Sequence, residues 1–253
     1  MKANILSCLI CLSVFFFSQF LLAGTHRPDI KDSEFLKYGS RFKCVMPVVA
    51  NIDRDNENLV GMGSCVVINE HWCITAAHVV QPAFRITVFV NGKKFIIDKA
   101  IINKNFKMEA KIPSDSDIAL LYSKKSFGEV YCPELYSQTN ERSKICTVAG
   151  FGYTGNFIKG IDTKHDFKKR GGTNTVDRIE YGMLSCNASR NGTRLEFLIA
   201  EGDSGGGLFI NGKLAGIASV IFTLPRRAKG VYGDSAGFTR ISSHLEWIEK
   251  HVK

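Results

Sequence analysis

No pair among the six cysteines beyond residue 24 is placed for a zinc site. Beyond residue 24 no two stand two to four apart, and no histidine pair accompanies them. The Asn91-Gly92 turn lacks the paired acids of a calcium loop. No segment resembles a nucleic-acid-binding motif, and no repeat or low-complexity stretch occurs. After Leu22 no apolar run is long enough to cross a membrane. These absences set aside metal and nucleic-acid chemistry, so neither metal nor cofactor is expected.

What is present describes an exported globular protein. Hydrophobic residues make up 45% of 253, enough for one large core or two small ones. Lys2 opens the chain, Ile5 to Leu22 is apolar and nearly uncharged, and Ala23-Gly24 offers small residues for cleavage, the pattern of a secretory leader over residues 1–24. The apolar run is long for a leader, and a retained anchor is the alternative. Cys8 and Cys11 fall in that leader; Cys44, Cys65, Cys73, Cys132, Cys146 and Cys186 remain, an even number that suggests disulfides in an oxidising compartment. The net charge of +9 is scattered, with local groups at Lys164, Lys168, Lys169 and Arg170 and at Arg226, Arg227 and Lys229. It reads as a solvated basic surface, with attraction to acidic substrates as the sharper alternative.

The chain pattern is mostly strand. Cys65 to Ile68 and Trp72 to Thr75 are β-prone runs around Asn69-Glu70-His71. Arg85 to Val90 and Lys93 to Ile102 flank Asn91-Gly92, and Leu208 to Ile210 and Lys213 to Phe222 flank Asn211-Gly212; both read as tight hairpins. Ser242 or Ser243 is placed to cap a last helix with Leu245, Ile248 and Val252 on one face. Many short strands with turn residues predict barrels or a sandwich.

Gly202-Asp203-Ser204-Gly205-Gly206 describes a backbone that turns sharply and exposes a nucleophile. The amides of Gly202 and Ser204 are the candidate oxyanion donors. A serine hydroxyl needs a base to take its proton as it attacks. Thr75-Ala76-Ala77-His78 supplies a candidate base and later acid, His78. Asp117-Ile118-Ala119-Leu120 supplies a candidate carboxylate, Asp117, to hold the imidazole and stabilise its charged form.

In these motifs and their His, Asp, Ser order, the chain resembles the trypsin/chymotrypsin family of serine endopeptidases. The resemblance runs from about Val45 to Val252 and includes Gly63-Ser64, Ala149-Gly150-Phe151-Gly152, Gly216 to Ser219 and Trp247-Ile248. Lys168 to Asn174 and Gly237-Phe238-Thr239-Arg240 look more like bacterial secreted members. The resemblance implies an all-β fold: two packed six-stranded antiparallel β-barrels with a C-terminal α-helix and the site in the cleft between them. It divides the chain into an N-terminal segment packing across the barrels (25–43), a first barrel (44–124), a connection (125–143), a second barrel (144–241) and the helix (242–253). It also implies a monomeric hydrolase acting on polypeptides, secreted or periplasmic, with no nucleic-acid partner and no membrane contact after leader removal. A catalytically inactive binding protein or adhesin of the same fold is the alternative.

Further expectations come from the same likeness. Ser219 would bond Asp117 from behind. Leu198 would floor the primary specificity pocket, with Ser219, Val220, Ile221 and Gly237 as walls. Relatives often carry cysteine where Val79, Ala200 and Ile210 stand, so the disulfides are rearranged. The pairing taken is Cys65 with Cys73 across a turn, Cys146 with Cys186 on strands that neighbour each other in this fold, and Cys44 with Cys132, among the many that six cysteines allow. Asp203, once buried, needs a cation or several donors. Animal zymogens of the family use a newly cleaved amino terminus, but no Arg or Lys followed by Ile-Val-Gly-Gly is present here, and an internal arginine or lysine is expected instead. Gly207 replaces a usual proline.

Overall fold

Short β-prone runs joined by tight turns build two barrels in this computed structural model, which describes residues 24–56, 59–109, 115–162 and 166–252. The expected leader up to Ala23, with Cys8 and Cys11, and Lys164 lie outside the described residues. The first half holds β1 (Thr25–His26), α1 (Asp32–Gly39), β2 (Val45–Asn51), β3 (Val60–Val67), β4 (Trp72–Thr75), α2 (Ala77–Val80), β5 (Arg85–Val90), β6 (Lys93–Ile96), β7 (Lys99–Ile102) and β8 (Ala119–Tyr122). The second holds β9 (Ile145–Gly150), β10 (Gly155–Asn156), β11 (Gly160–Ile161), β12 (Arg170–Thr175), β13 (Arg178–Glu180), β14 (Met183–Asn187), β15 (Phe197–Leu198), β16 (Gly207–Ile210), β17 (Lys213–Phe222), β18 (Ser235–Arg240) and α3 (Leu245–His251).

Two seven-segment sheets run β6-β5-β2-β3-β4-β8-β7 and β12-β9-β16-β17-β18-β14-β13. Each sheet closes through one bent strand. Between β6 and β7, Ile97 N–H donates to Ile86 O on one neighbour and Asp98 N–H to Tyr122 O on the other. Between β12 and β13, Val176 N–H donates to Lys144 O and Asp177 N–H to Ser185 O. Counting each bent pair as one strand, both barrels are six-stranded and antiparallel, and closure leaves no open edge. The Asn-Gly hairpins form as the sequence suggests: Asn91 and Gly92 have φ of 49° and 76°, and Asn211 and Gly212 have 51° and 76°. Both central residues lie in the left-handed region, the turn whose twist matches paired strands.

The alternation along the strands fills two cores. Val48, Val66, Ile74, Val88 and Leu120 anchor the first. Phe35, Val148, Leu184, Leu208 and Phe238 anchor the second. Ala149, Phe209, Leu214 and Ile217 of the second barrel join the first core, as do Ile241 and Ile248, so the chain's last helix returns to the first barrel. The cap differs from expectation. Ser242 and Ser243 lie in a 3-10 turn before α3, His244 occupies the cap position without capping the helix through its side chain, and the Ser242 hydroxyl donates to Glu141 Oε1 at 2.8 Å. Buried Glu141, also forked by Arg240, recruits Ser242 and so shifts the helix start.

A buried cation helps fasten the N-terminal segment to the second barrel. Arg170, 4% exposed in its side chain, donates to Asp32 Oδ1 at 2.6 Å and Asp166 Oδ2 at 2.8 Å. Burial alone would raise Asp32, but bonds from Arg170 and His26 hold it well below the ordinary carboxylate range. The stability this supplies is present above the unfolded carboxyl value of about 3.9 and is lost as pH falls toward the folded one. Arg170→Met should cost about 2 kcal/mol, discounted for the partly exposed acids, read as a lower urea midpoint at neutral pH. The wild-type advantage should shrink with acidification; an unchanged midpoint would show that the clamp carries no stability.

Candidate active site

Strand β4 ends at Thr75 and α2 begins at Ala77, so His78 leaves the barrel wall as the one incompletely buried residue between Trp72 and Val80. Its side chain is 27% exposed, against 8% for Asp117, which sits just before β8 on the strand paired with β4. Asp117 Oδ2 accepts from His78 Nδ1 at 2.7 Å, the ring proton being placed on that nitrogen by its acceptor, and Oδ1 accepts from His78 N–H at 2.9 Å. The Ser219 hydroxyl donates to Asp117 Oδ2 at 2.6 Å. Between Ala218 and Val220 the register of β17 against β18 shifts, which leaves Ser219 as a bulge. A bulge re-aims a side chain, and here it turns a strand serine of the second barrel onto a first-barrel acid. Burial pushes Asp117 up, but the His78 and Ser219 bonds outweigh it and hold the carboxyl below its usual range. It is therefore a carboxylate at neutral pH.

The Gly202–Gly206 turn faces the same seam from the second barrel. Ser204 is partly exposed while Gly202, Asp203, Gly205 and Gly206 are buried. Gly202 and Gly205 have φ of 88° and 85°, so both lie where glycine is favoured. A Cβ on Gly205 would collide with Ser64 O and Thr75 Oγ1, which shows how closely the turn abuts the segment leading into His78. Ser64 N–H donates to Ser204 O at 2.8 Å, and the Ser64 hydroxyl donates to Gly202 O at 3.1 Å. The turn commits the N–H groups of Asp203, Gly205 and Gly206 to Ala200 O, Ala218 O and Asp203 O. Among the described residues, Gly202 N–H and Ser204 N–H donate to nothing. No hydrogen bond joins Ser204 to His78 in this structure; such bonds are often long before substrate binds.

Asp203 is 1% exposed and accepts three backbone N–H bonds: Gly24 at 2.9 Å, Gly152 at 3.0 Å and Ala200 at 3.2 Å. The expected internal lysine or arginine partner is not found among the described residues. Burial pushes the carboxyl up to about 7 despite these donors.

The comparisons with known proteins agree with this geometry. The family model described as Trypsin matches residues 45–248. The chain belongs to the trypsin family of serine endopeptidases. It is 27% identical over 209 residues to the venom plasminogen activator Haly-PA of Gloydius brevicauda, covering 75% of this chain and 77% of that one. It is also 27% identical over 215 residues to the thrombin-like enzyme calobin-1 of Gloydius ussuriensis, covering 74% and 75%. Among solved structures, neuropsin, a serine protease expressed in mouse brain, superposes with a TM-score of 0.67 at 17% identity over 90% of this chain and 99% of its own. HL collagenase does so at 0.65 and 18% over 84% and 94%. These two likenesses concern the fold.

Within this trypsin-family frame, the residues assigned to the pocket separate. Val220 and Ile221 are partly exposed on β17 beside Ser219. Gly237 is buried, and a Cβ there would meet Val220 Cγ1 at 2.8 Å and Phe222 Cε2 at 3.1 Å, so its open side is already occupied by β17. Leu198 is 1% exposed, belongs to the second core and pairs with Thr25 of β1. Two cations of the nearby loop have partners: Lys229 Nζ lies 2.8 Å from Glu201 Oε1, and Arg227 donates to Tyr232 O at 2.7 Å; Arg226 is exposed and has none among the described residues.

All six cysteines beyond the leader are unbonded in this structure, so the three expected bridges are not formed in it. Cys146 Sγ and Cys186 Sγ are 3.8 Å apart. Their strands are not hydrogen-bonded neighbours, as the likeness implied; β9 pairs with β12 and β16, and β14 with β13 and β18. The thiols meet across the barrel interior instead. Burial and the Cys65 contact push Cys73 well above the ordinary thiol value, and burial pushes the Cys44 thiol up to about 12 despite nearby Lys169.

Three supporting groups escaped the sequence reading. The Ser64 hydroxyl also accepts from Phe151 N–H at 2.9 Å, Thr75 Oγ1 donates to Ser64 O at 2.7 Å, and Thr239 Oγ1 donates to Asp117 O at 2.9 Å. Each lies inside a recognised motif, but only the partner 11 to 122 residues away reveals its task. Ser219→Ala should lower kcat about tenfold with KM nearly unchanged, because one hydrogen bond to the Asp117 carboxylate is lost while substrate contacts remain. A change confined to KM would place Ser219 in substrate binding instead.

Proposed function

We propose that this chain is an exported serine endopeptidase in which Ser204 attacks the scissile carbonyl. His78 takes the serine proton and returns it to the leaving amine, and Asp117 holds the ring and stabilises its charged form. An acyl-enzyme on Ser204 follows, and water, activated by the same His78, releases the second product. Gly202 N–H and Ser204 N–H receive the oxyanion. The observation that carries this reading is the His78–Asp117 pair, fixed by three hydrogen bonds with Ser219's included, at the seam that the Gly202–Gly206 turn faces. The uncommitted N–H groups on either side of Asp203 support the oxyanion assignment.

Ser204→Ala should abolish peptide hydrolysis and fluorophosphonate labelling while leaving the urea midpoint unchanged. His78→Ala should lose nearly as much, since the groups act as a unit. Wild-type turnover in the serine variant would refute the assignment.

The reading extends to specificity. The cleft-facing Val220 and Ile221, and the core-packed Leu198 taken as the pocket floor, offer no charge to a substrate Lys or Arg, and a buried unpaired cation is costly. Val220 and Ile221 supply apolar surface at the cleft. Of the cations that would draw an acidic side chain, Lys229 and Arg227 already have protein partners, and Arg226 is left to compete. Peptides with Ala, Val or Leu before the cut should therefore outperform those with Lys or Arg on a library. A profile led by Lys or Arg would overturn the apolar assignment, and one led by Glu or Asp would assign the choice to the basic loop.

Export is supported by the leader pattern and by a venom protein among the relatives. In the oxidised compartment Cys146 and Cys186 need close by under about 2 Å to bond. Peptide mapping of the unreduced exported protein should find that pair linked; finding both thiols free would remove the disulfide argument for export.

A further inference from the structure

The last helix crosses back to the first barrel and meets the segment that leads into the candidate acid. His244, 8% exposed, stands at the start of α3. Its Nε2 lies 2.6 Å from Asp115 O, two residues before Asp117. A carbonyl oxygen only accepts, so Nε2 carries the ring proton and donates it. Nδ1 is left as the acceptor, and Asn103 Nδ2 faces it at the long distance of 3.5 Å. The Asn103 amide is oriented by its other end, since its Oδ1 accepts from Asn105 N–H at 3.0 Å. The Trp247 ring meets the imidazole edge-on, with centroids 6.4 Å apart. Both ring nitrogens therefore have a partner of the right kind, and the ring is held against turning.

We propose that His244 is a positioning residue for the candidate triad: its ring latches the Asp115 carbonyl and so sets where the Asp117 carboxylate stands. This rests on the reading of Asp117 as the acid behind His78. Among the described residues, His244 is the one hydrogen-bond partner of Asp115. The other ties lie on the far side of the acid. Thr239 Oγ1 donates to Asp117 O at 2.9 Å, and Asn103 N–H donates to Ile118 O at 3.1 Å. On the entering side the Tyr181-Gly182 turn only abuts the segment, a Cβ on Gly182 coming within 2.9 Å of Asp115 Oδ2.

The demand on that segment is strict. Asp117 takes the His78 ring at 2.7 Å, the His78 backbone at 2.9 Å and Ser219 at 2.6 Å, so a shift of about 1 Å in its backbone would forfeit short bonds on two sides. A group that fixes such a segment works best from a rigid element. His244 meets this condition, because Ile248 N–H closes the first turn of α3 on His244 O at 2.9 Å and the Ile248 side chain is buried in the first core. The return of the C-terminal helix thus reaches the site through one imidazole.

The test uses the full chain as wild type, His244→Phe, His244→Gln and Ile248→Val. Phenylalanine keeps a ring beside Trp247 and removes the donor. Glutamine places an N–H close to where Nε2 stands. Ile248→Val loosens α3 in the first core without touching the bond. On a peptide substrate, kcat should fall roughly 10- to 100-fold in His244→Phe with KM within about twofold, the size expected when supporting geometry slips by about 1 Å. Glutamine should recover most of that loss. Ile248→Val should lower the thermal midpoint and leave kcat near wild type. Should His244→Phe not fold, His244→Asn takes its place with the same expected loss, since its shorter amide does not reach Asp115 O. A second reading needs no turnover: the NMR signal of the His78 Nδ1 proton, which bonds Asp117, should shift or broaden in His244→Phe and return in His244→Gln. Wild-type kcat with an unshifted His78 signal in His244→Phe, or an equal loss of kcat in Ile248→Val, overturns the proposal and leaves the endopeptidase reading standing. If no form, wild type included, cleaves peptides or labels with a fluorophosphonate, yet the His78 signal follows residue 244, the latch stands and the catalytic reading falls.

Discussion

A carboxylate removed from water must be surrounded by donors, and the placement of Asp203 is the constraint that most of this site obeys. Its oxygens draw in Gly24, Gly152 and Ala200, three points far apart in the chain. Gly150 must lack a side chain because a Cβ there would strike the Asp203 carboxylate. The N-terminal segment, the end of β9 and the turn before β16 are thereby gathered around one residue. That residue is the immediate neighbour of Ser204, so the burial of one acid decides where Ser204 stands.

The opposite wall of the site is set by a second acid under a different rule. Asp117 is nearly as buried as Asp203, yet His78, its own backbone and Ser219 lower its carboxyl, while Asp203 with backbone donors alone is raised. The contrast follows from the partners. A ring and a hydroxyl aimed at the charged form favour that form, whereas peptide N–H groups do not offset full burial here. The two acids belong to different barrels and are joined by the Ser219 bulge, by Thr239 donating to Asp117 O, and by Ser64 bridging Gly202 and Phe151. Short hydroxyl side chains at the barrel seam therefore transmit the register of one barrel to the other.

Barrel closure provides the rigid frame for those contacts. In each barrel one strand bends over two residues, Ile97-Asp98 in the first and Val176-Asp177 in the second, and changes neighbour at the bend. An open sheet edge would let the seam drift; a closed barrel does not. The last helix then crosses back, burying Ile248 in the first core, so both ends of the second barrel are tied to the rest of the molecule.

Chemistry-bearing motifs were legible in the amino-acid order because each is local. Thr75 to His78, Asp117 to Leu120 and Gly202 to Gly206 carry their residue types within five positions, and the Asn-Gly turns state their backbone angles directly. The C-terminal helix was legible from its apolar face at Leu245, Ile248 and Val252, whereas six strands per barrel were implied by the family likeness those motifs carry. What the order of residues could not state was who meets whom across the fold. The helix cap moved because buried Glu141 claimed Ser242 from 101 positions away. Cys146 and Cys186 meet through the barrel interior rather than along paired strands. The expected side-chain cation for Asp203 gave way to backbone N–H groups, including that of Gly24, 179 residues distant. Sequence alone determined the residue types available for proton transfer and the turns that present them, because these depend on neighbours in the chain. Tertiary structure alone decided the partners of buried charges, because desolvation makes each charge select its donors by position in space.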